Sequence, residues 1–256
     1  MMGSDDFYAE ERPARAVGVA PFWIDLHPVN NRAFAAFVDA TGYVTTAERE
    51  RGSLVFRMTD GPVDLRGAPV WWHFIDGAAW NAPDGPGSSL AGRWEHPAVH
   101  VSHVDACAYA TWCGKRLPDE AEWERAARGG LHGAAYAWGD TFLADGARMA
   151  NTWQGTFPWH SSAGAPGPNA PGTYPPNGYG LYDTIGNVWE WTATRALLAL
   201  PAQACCATPD GEAECAIIKG GSFLCADEYC RRYRPAARIA QPLASTAAHI
   251  GFRCAL

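Results

Sequence analysis

The sequence predicts one irregular α+β domain in which coil outweighs regular structure. Three observations lead there. Helical spacing of apolar residues persists over only a few short windows, and strand-like runs are shorter still. The 256 residues include 27 glycines and 19 prolines, above the average share of about 12% and below the roughly 25–30% of disordered chains. Twelve tryptophans and a 48% hydrophobic content supply the core that such a loop-rich chain packs around. This length suits one large domain or two small ones, and no internal repeat divides it.

In chain order, residues 17–24 (V-G-V-A-P-F-W-I) read as a short strand interrupted by Pro21. Asn30 or Asn31 can cap a helix with Phe34, Phe37 and Val38 on one face, and Gly42 is its natural stop. Residues 47–92 show little periodicity and carry Trp71, Trp72, Phe74 and Trp80, so the reading is loop held by aromatic packing or by function. His100-Val101-Ser102 leads into a helix through Asp105, Ala106, Tyr109, Ala110 and Trp112-Cys113, ended by Gly114. Pro118-Asp119-Glu120 opens another, with acids matching the helix dipole, and Gly129-Gly130 closes it. Residues 151–180 read as coil anchored by Trp153, Phe157, Trp159 and Tyr174, and 180–192 as a second dense segment. Residues 196–214, with Cys205-Cys206 and neighbouring Cys215, read as a surface excursion, and 250–254 as a final strand.

The net charge of −7 argues against a nucleic-acid partner. No apolar run reaches the ~18 residues of a membrane span, and residues 1–19 lack a signal peptide's apolar segment. Eight cysteines do not define a disulfide scaffold in a chain of this size, so a cytoplasmic setting is the simpler expectation.

The chemistry concentrates in residues 219–238, K-G-G-S-F-L-C-A-D-E-Y-C-R-R-Y-R-P-A-A-R. Cys225 and Cys230 lie five residues apart, which along an unbroken strand would point their thiols to opposite faces. A turn through Ala226, Asp227 and Glu228 would bring both sulfurs to one point. Converging thiolates suit Cu(I), zinc or an iron–sulfur centre, and they could equally close a disulfide. Arg231, Arg232 and Arg234 would favour thiolates if their side chains lie close. Other candidates have plainer explanations. His96, His100 and His103 are close in sequence, but Pro97 intervenes and no ligating carboxylate is near, so they read as structural. The acids at 119–122 read as helix N-terminal charges, and Arg116 and Arg128 as ion-pairing scaffold.

Several segments together are similar to the formylglycine-generating enzyme (sulfatase-modifying factor) family: K-R-L-P-D-E-A-E-W-E at 115–124, P-P-N-G-Y-G-L-Y at 175–182, G-N-V-W-E-W-T at 186–192, K-G-G-S-F at 219–223 and G-F-R-C-A at 251–255. The resemblance implies an irregular, coil-rich α+β single domain over residues 1–256, similar to the C-type lectin fold. The family also holds paralogues without the cysteine pair, sulfoxide synthases and binding proteins. What points to the enzymes is G-G-S-F-L-C-A-D-E-Y-C-R-R-Y-R at 220–234, supported by W-Q-G-T-F-P at 153–158 and T-G-Y-V-T-T-A-E at 41–48.

By that resemblance Cys225 and Cys230 would hold Cu(I), a substrate cysteine would join as third ligand, and O2 would be activated to give the aldehyde of Cα-formylglycine. Ser222, Trp189 and Tyr229 match positions lining the pocket. The implied partner is an unfolded sulfatase-like polypeptide with a C-x-P-x-R-like motif, met by a monomer without nucleic acid or membrane. Asp183, Gly186, Val188 and Glu190 match a structural calcium site, the alternative being that Asp183 and Glu190 merely bond loop amides. A second calcium site beginning at Asn151-Thr152 finds no acid near Ala165 and reads as lost. In vertebrate relatives a cysteine at the position of Ala110 bonds the equivalent of Cys254; here Cys107 or Cys113 could approach it, and reduced core thiols are the preferred expectation.

The chain departs from the family at Pro28-Val29-Asn30-Asn31, at Ala226, over residues 239–244 and at His249. Those positions put the substrate in question. A family oxidase acting on another thiol, or a non-catalytic lectin-like binder, therefore stands beside the peptidyl-cysteine oxidase, although a binder has no need of the cysteine pair.

Overall fold

The computed structural model describes residues 1–196 and 214–256. Local chemistry sets its helices. The Asn30 side chain accepts Ala33 N–H to start α1 (Asn31–Thr41), and Gly42, in the left-handed region at φ 64°, ends it. Reciprocal capping boxes open α2 (Thr46–Arg49), α3 (His103–Trp112) and α4 (Glu120–Ala127), through the pairs Thr45/Glu48, Ser102/Asp105 and Asp119/Glu122. Asp105 also accepts Thr46 N–H and Tyr43 O–H, which fastens α2 to α3.

An antiparallel hairpin joins β1 (Gly52–Phe56) to β2 (Trp72–Asp76). Two-residue pairs follow: β3 (Leu143–Ala144) with β4 (Ala147–Arg148), and β5 (Gly155–Thr156) with β6 (His160–Ser161). The main sheet comprises β7 (Trp189–Ala196), β8 (Cys215–Lys219), β9 (Arg238–Pro242) and β10 (Ile250–Gly251), in the order β10-β7-β8-β9. Only the β10–β7 pairing is parallel. No helix among the described residues is long and apolar enough to cross a membrane.

Two apolar clusters fill the interior. The larger gathers Phe34, Phe37, Tyr109, Trp191, Ile218 and Phe252 beneath the main sheet. The smaller holds Phe56, Trp71, Trp153, Phe157, Phe223 and Leu224, and it walls the cysteine pair. Each fully buried tryptophan contributes about 5 kcal/mol of transfer free energy as an upper value; Trp71, Trp123, Trp189 and Trp191 are such residues.

A buried charge network ties β8 to α4. The Lys219 ammonium, wholly buried, lies 2.9 Å from Glu124 Oε2 and 3.4 Å from Glu120 Oε1, and donates to Ala236 O. Arg128 completes the pairing of Glu124, and Arg238 that of Glu120. This fixes the strand end immediately before Gly220 and Gly221. Both glycines have positive φ, and a Cβ on either would fall 2.8 Å from a backbone oxygen, so no other residue fits the turn.

Three expectations need correction. Residues 17–23 form no strand, and only Ile24 bridges, to Ala255. Residues 47–92 are not loop throughout, since they carry the β1–β2 hairpin. The last strand is shorter than 250–254 and resumes only as the Ala255 bridges to Ile24 and Arg116. Cys205 and Cys206 lie outside the described residues.

Candidate active site

The turn from β8 brings the two thiols together. Cys225 N–H donates to Ser222 O, while Tyr229 and Cys230 N–H both donate to Ala226 O, closing a tight turn over 226–229. The sulfurs end 3.5 Å apart, with Cys225 2% and Cys230 1% exposed. That separation is far beyond the ~2.05 Å of a disulfide bond, and neither cysteine forms one. Ser222 N–H points at Cys225 Sγ, 3.4 Å away, and the Ser222 hydroxyl accepts Leu224 N–H.

Burial pushes the Cys225 thiol well above its ordinary range, and Cys230 beside it adds to the rise; Ser222 N–H and the Arg232 charge oppose it. Without a cation Cys225 therefore keeps its proton at neutral pH. Of the three arginines expected near the sulfurs, only Arg232 arrives, with Nη1 3.9 Å from Cys230 Sγ. Even so, it is paired with Glu10 and lies over the Tyr8 ring. Arg234 is bound by Glu11 and Arg231 faces Asp227, so neither supplies the thiols with charge as expected.

Trp189, Ser222, Tyr229 and both cysteines line one cleft, joined by Trp71, Trp72, Phe157, Leu224 and His249. Tyr229 stacks on Phe157 at 4.8 Å and meets Trp71 edge-on at 5.1 Å; Trp72 packs on His249 at 4.6 Å. The cleft is narrow, with a volume of about 10 Å³. A groove of about 300 Å³ opens elsewhere, among Trp80, Pro83, Arg93 and His96. It holds no thiol, and chemistry rather than size selects the smaller cleft.

The 183–190 segment is laced to the thiol turn: Gly186 N–H donates to Gly220 O, and Phe223 N–H to Asn187 O. Its proposed calcium ligands fare unequally. Asp183 Oδ2 is buried with no hydrogen-bond partner among the described residues. Burial pushes its carboxyl up to about 6, opposed by the Arg253 charge and reinforced by that of Glu190. Glu190 is different. Arg253 Nε and Nη2 grip its two oxygens at 2.7 Å each, and Trp123 Nε1 donates to one of them at 2.7 Å. Its charge already has one cation in Arg253, and calcium at Asp183, Gly186, Val188 and Glu190 stays a proposal. At the second family site, which the sequence reads as lost, Asn151 Nδ2 donates to Gly167 O and Asn187 Oδ1.

His100 sits between Ser53 Oγ and Pro83 O, and His103 against Thr192 O. Burial pushes both down to about 4, the behaviour of neutral structural imidazoles. Among the described residues no three His, Cys, Asp or Glu side chains converge on one point, so a metal at the thiols would take its third ligand from outside. Cys113 rather than Cys107 meets Cys254, a buried thiol pushed above its ordinary range, while Cys107 turns to His103.

Sequence reasoning missed the cleft walls Trp71 and Trp72, which stood in view as an adjacent aromatic pair. It also missed Tyr8, Glu10 and Glu11, whose only signal was an acidic stretch facing an arginine-rich one.

The model of the sulfatase-modifying factor enzyme 1-like domain matches residues 1–256. The chain is 48% identical to the formylglycine-generating enzyme of Mycobacterium tuberculosis, covering 99% of this chain and 93% of that protein. It is 50% identical to the one from Thermomonospora curvata, over 96% and 85%. Among solved structures, PvdO from Pseudomonas aeruginosa superposes with a TM-score of 0.63 at 24% identity, over 99% of this chain and 89% of that one, a likeness of fold.

Proposed function

The chain belongs to the sulfatase-modifying factor enzyme 1-like family, and from that premise we propose that it oxidises a cysteine of a sulfatase-like polypeptide to Cα-formylglycine, using O2 and copper held by Cys225 and Cys230. The observation that carries this reading is the pair of buried sulfurs, unbridged by a disulfide and 3.5 Å apart in an aromatic cleft. Two soft donors with no hard ligand beside them fit Cu(I). The chemistry copper supplies when bound is the activation of O2 for oxidation at the substrate Cβ.

The remaining tasks fall to the chain itself. Gly220 and Gly221 set the turn, and Ser222 N–H steadies Cys225 Sγ as its proton leaves. Trp71, Trp189 and Phe157 exclude water from the sulfurs, and Tyr229, stacked on Phe157, holds one wall of the opening. Loading a soft cation requires Cys225 to release a proton that burial holds in place, so uptake strengthens as pH rises.

Calcium is a second proposal, at Asp183 with the backbone oxygens of Gly186 and Val188. The unpartnered Asp183 Oδ2 fits a hard cation, whereas Glu190 would have to share an oxygen with Arg253.

Of the departures from the family, Ala226 packs in the small aromatic cluster, but His249 lines the cleft. This favours one alternative, an oxidase of a different thiol. Incubating Cu(I)-loaded protein with a C-x-P-x-R peptide under O2 should yield a product that has lost sulfur and gained an aldehyde, read by mass. Oxygen uptake with a small thiol but with no such peptide would transfer the assignment to the alternative.

A further inference from the structure

Strand β2 is an edge, and its edge begins at the cleft. Arg57 N–H donates to Trp71 O and Gly77 N–H to Arg51 O. In an antiparallel ladder those bonds fix the alternation, so residues 71, 73, 75 and 77 bond towards β1 and residues 72, 74 and 76 point away. The partner strand obeys the same rule. Leu54, opposite Phe74, turns its N–H to Thr246 O, and its carbonyl accepts Ala248 N–H. On the outer side, no described residue takes up Phe74 N–H or C=O.

Side chains exposed along this edge are apolar at Val70 and Phe74 and charged at Asp76. Val70 is 55% and Phe74 57% exposed, and the Phe74 ring lies over Gly52, which has no side chain to obstruct it. Between them Trp72 lines the thiol cleft. Trp72 N–H is taken by Pro69 O, but the open donor and acceptor of Phe74, flanked by apolar side chains, invite an added strand.

We propose that the substrate polypeptide docks by strand addition: an extended segment flanking its cysteine pairs with the outer edge of β2 at Phe74 and lays alternate apolar side chains on Phe74 and Val70. This rests on the reading of a polypeptide cysteine as substrate. Phe74 lies roughly 7 Å beyond Trp72 along the strand, so a flank of about six residues spans both edge and cleft. The edge continues directly into the cleft through Trp72, which is why a chain delivering its cysteine there is the fitting occupant.

The test uses the whole protein with two C-x-P-x-R peptides, one of about thirteen residues and one of five, together with a long peptide carrying serine in place of cysteine, so that binding is read by anisotropy without turnover. Methylating alternate backbone nitrogens of the long serine peptide in its flank should weaken binding to the wild-type protein about tenfold, the value of one or two backbone hydrogen bonds. Phe74→Pro, which removes an outward N–H and leaves the β1 ladder intact, should lower the long-to-short ratio of kcat/KM by a similar factor. Phe74→Lys, which keeps that N–H, should lower it less. Equal binding of methylated and unmethylated peptides overturns strand addition, as does failure of the serine peptide to bind at all. Tight binding of the serine peptide without oxidation of the cysteine peptide upholds the docking surface and counts against the oxidase reading alone.

Discussion

Two neighbouring segments, the thiol turn at 219–230 and the loop at 183–190, are laced together through Gly186–Gly220 and Asn187–Phe223 hydrogen bonds, yet they treat their ligating atoms in opposite ways. At the turn the sulfurs converge on a cleft they share with aromatic walls. In the loop the Glu190 carboxylate is already held by Arg253 and Trp123. Both segments carry residue types suited to metals. The difference teaches that donor type nominates a site, while the partner that each donor already holds decides whether a cation is needed there.

The largest expected effect breaks the comparison on the loop side. Glu190→Ala strands a wholly buried Arg253 and should cost roughly 3–5 kcal/mol of stability, seen as the same fall in melting temperature in calcium and in chelator. A loss confined to calcium would restore Glu190 as a ligand. On the other side, Cys225→Ser or Cys230→Ser should weaken Cu(I) binding by more than about 100-fold, beyond the usual reach of outer-shell changes, measured by competition with a Cu(I) chelator. Affinity unchanged in either variant would remove copper from the thiols.

The smallest effect sharpens the contrast at Asp183. Its carboxyl is raised to about 6 in the fold, so between the unfolded value near 4 and pH 6 the native state binds the extra proton. Stability therefore falls as pH rises through that window, and the deficit, roughly 2–3 kcal/mol, persists above it. Asp183→Asn should flatten the profile of urea midpoints between pH 4 and 8. Calcium should instead stabilise the wild-type protein most at the higher pH, by about 2.7 kcal/mol at a hundredfold excess over Kd. A calcium effect identical at pH 5 and pH 8 would disconnect the ion from Asp183.

Much of the site was legible because its determinants are local. The caps at Asn30, Ser102 and Asp119 act within three residues, and the Cys225–Cys230 turn closes within five. What escaped was set at long range. The β1 run S-L-V-F lacks alternation because both its faces are largely covered, so the hairpin with β2 was hidden. The partner that occupies Glu190 lies 63 residues away, and the acids that hold Arg232 and Arg234 lie 222 and 223 residues away. Spacing along the chain carries no record of such meetings.

The wholly buried Lys219 has a consequence for how the thiol turn finds its place. Strand side chains alternate between faces, so a one-residue slip of β8 would carry the ammonium away from Glu120 and Glu124 to the opposite side of the sheet. There it would be an uncompensated charge, and both glutamates would lose their shared cation. The neighbouring Ala216, Ile217 and Ile218 offer no such discrimination, since shifted aliphatic residues still bury oil against oil. Lys219 thus serves as an indexing pin: with it seated, Gly220 and Gly221 fall where the chain must reverse, and the sulfurs of Cys225 and Cys230 further on inherit their alignment.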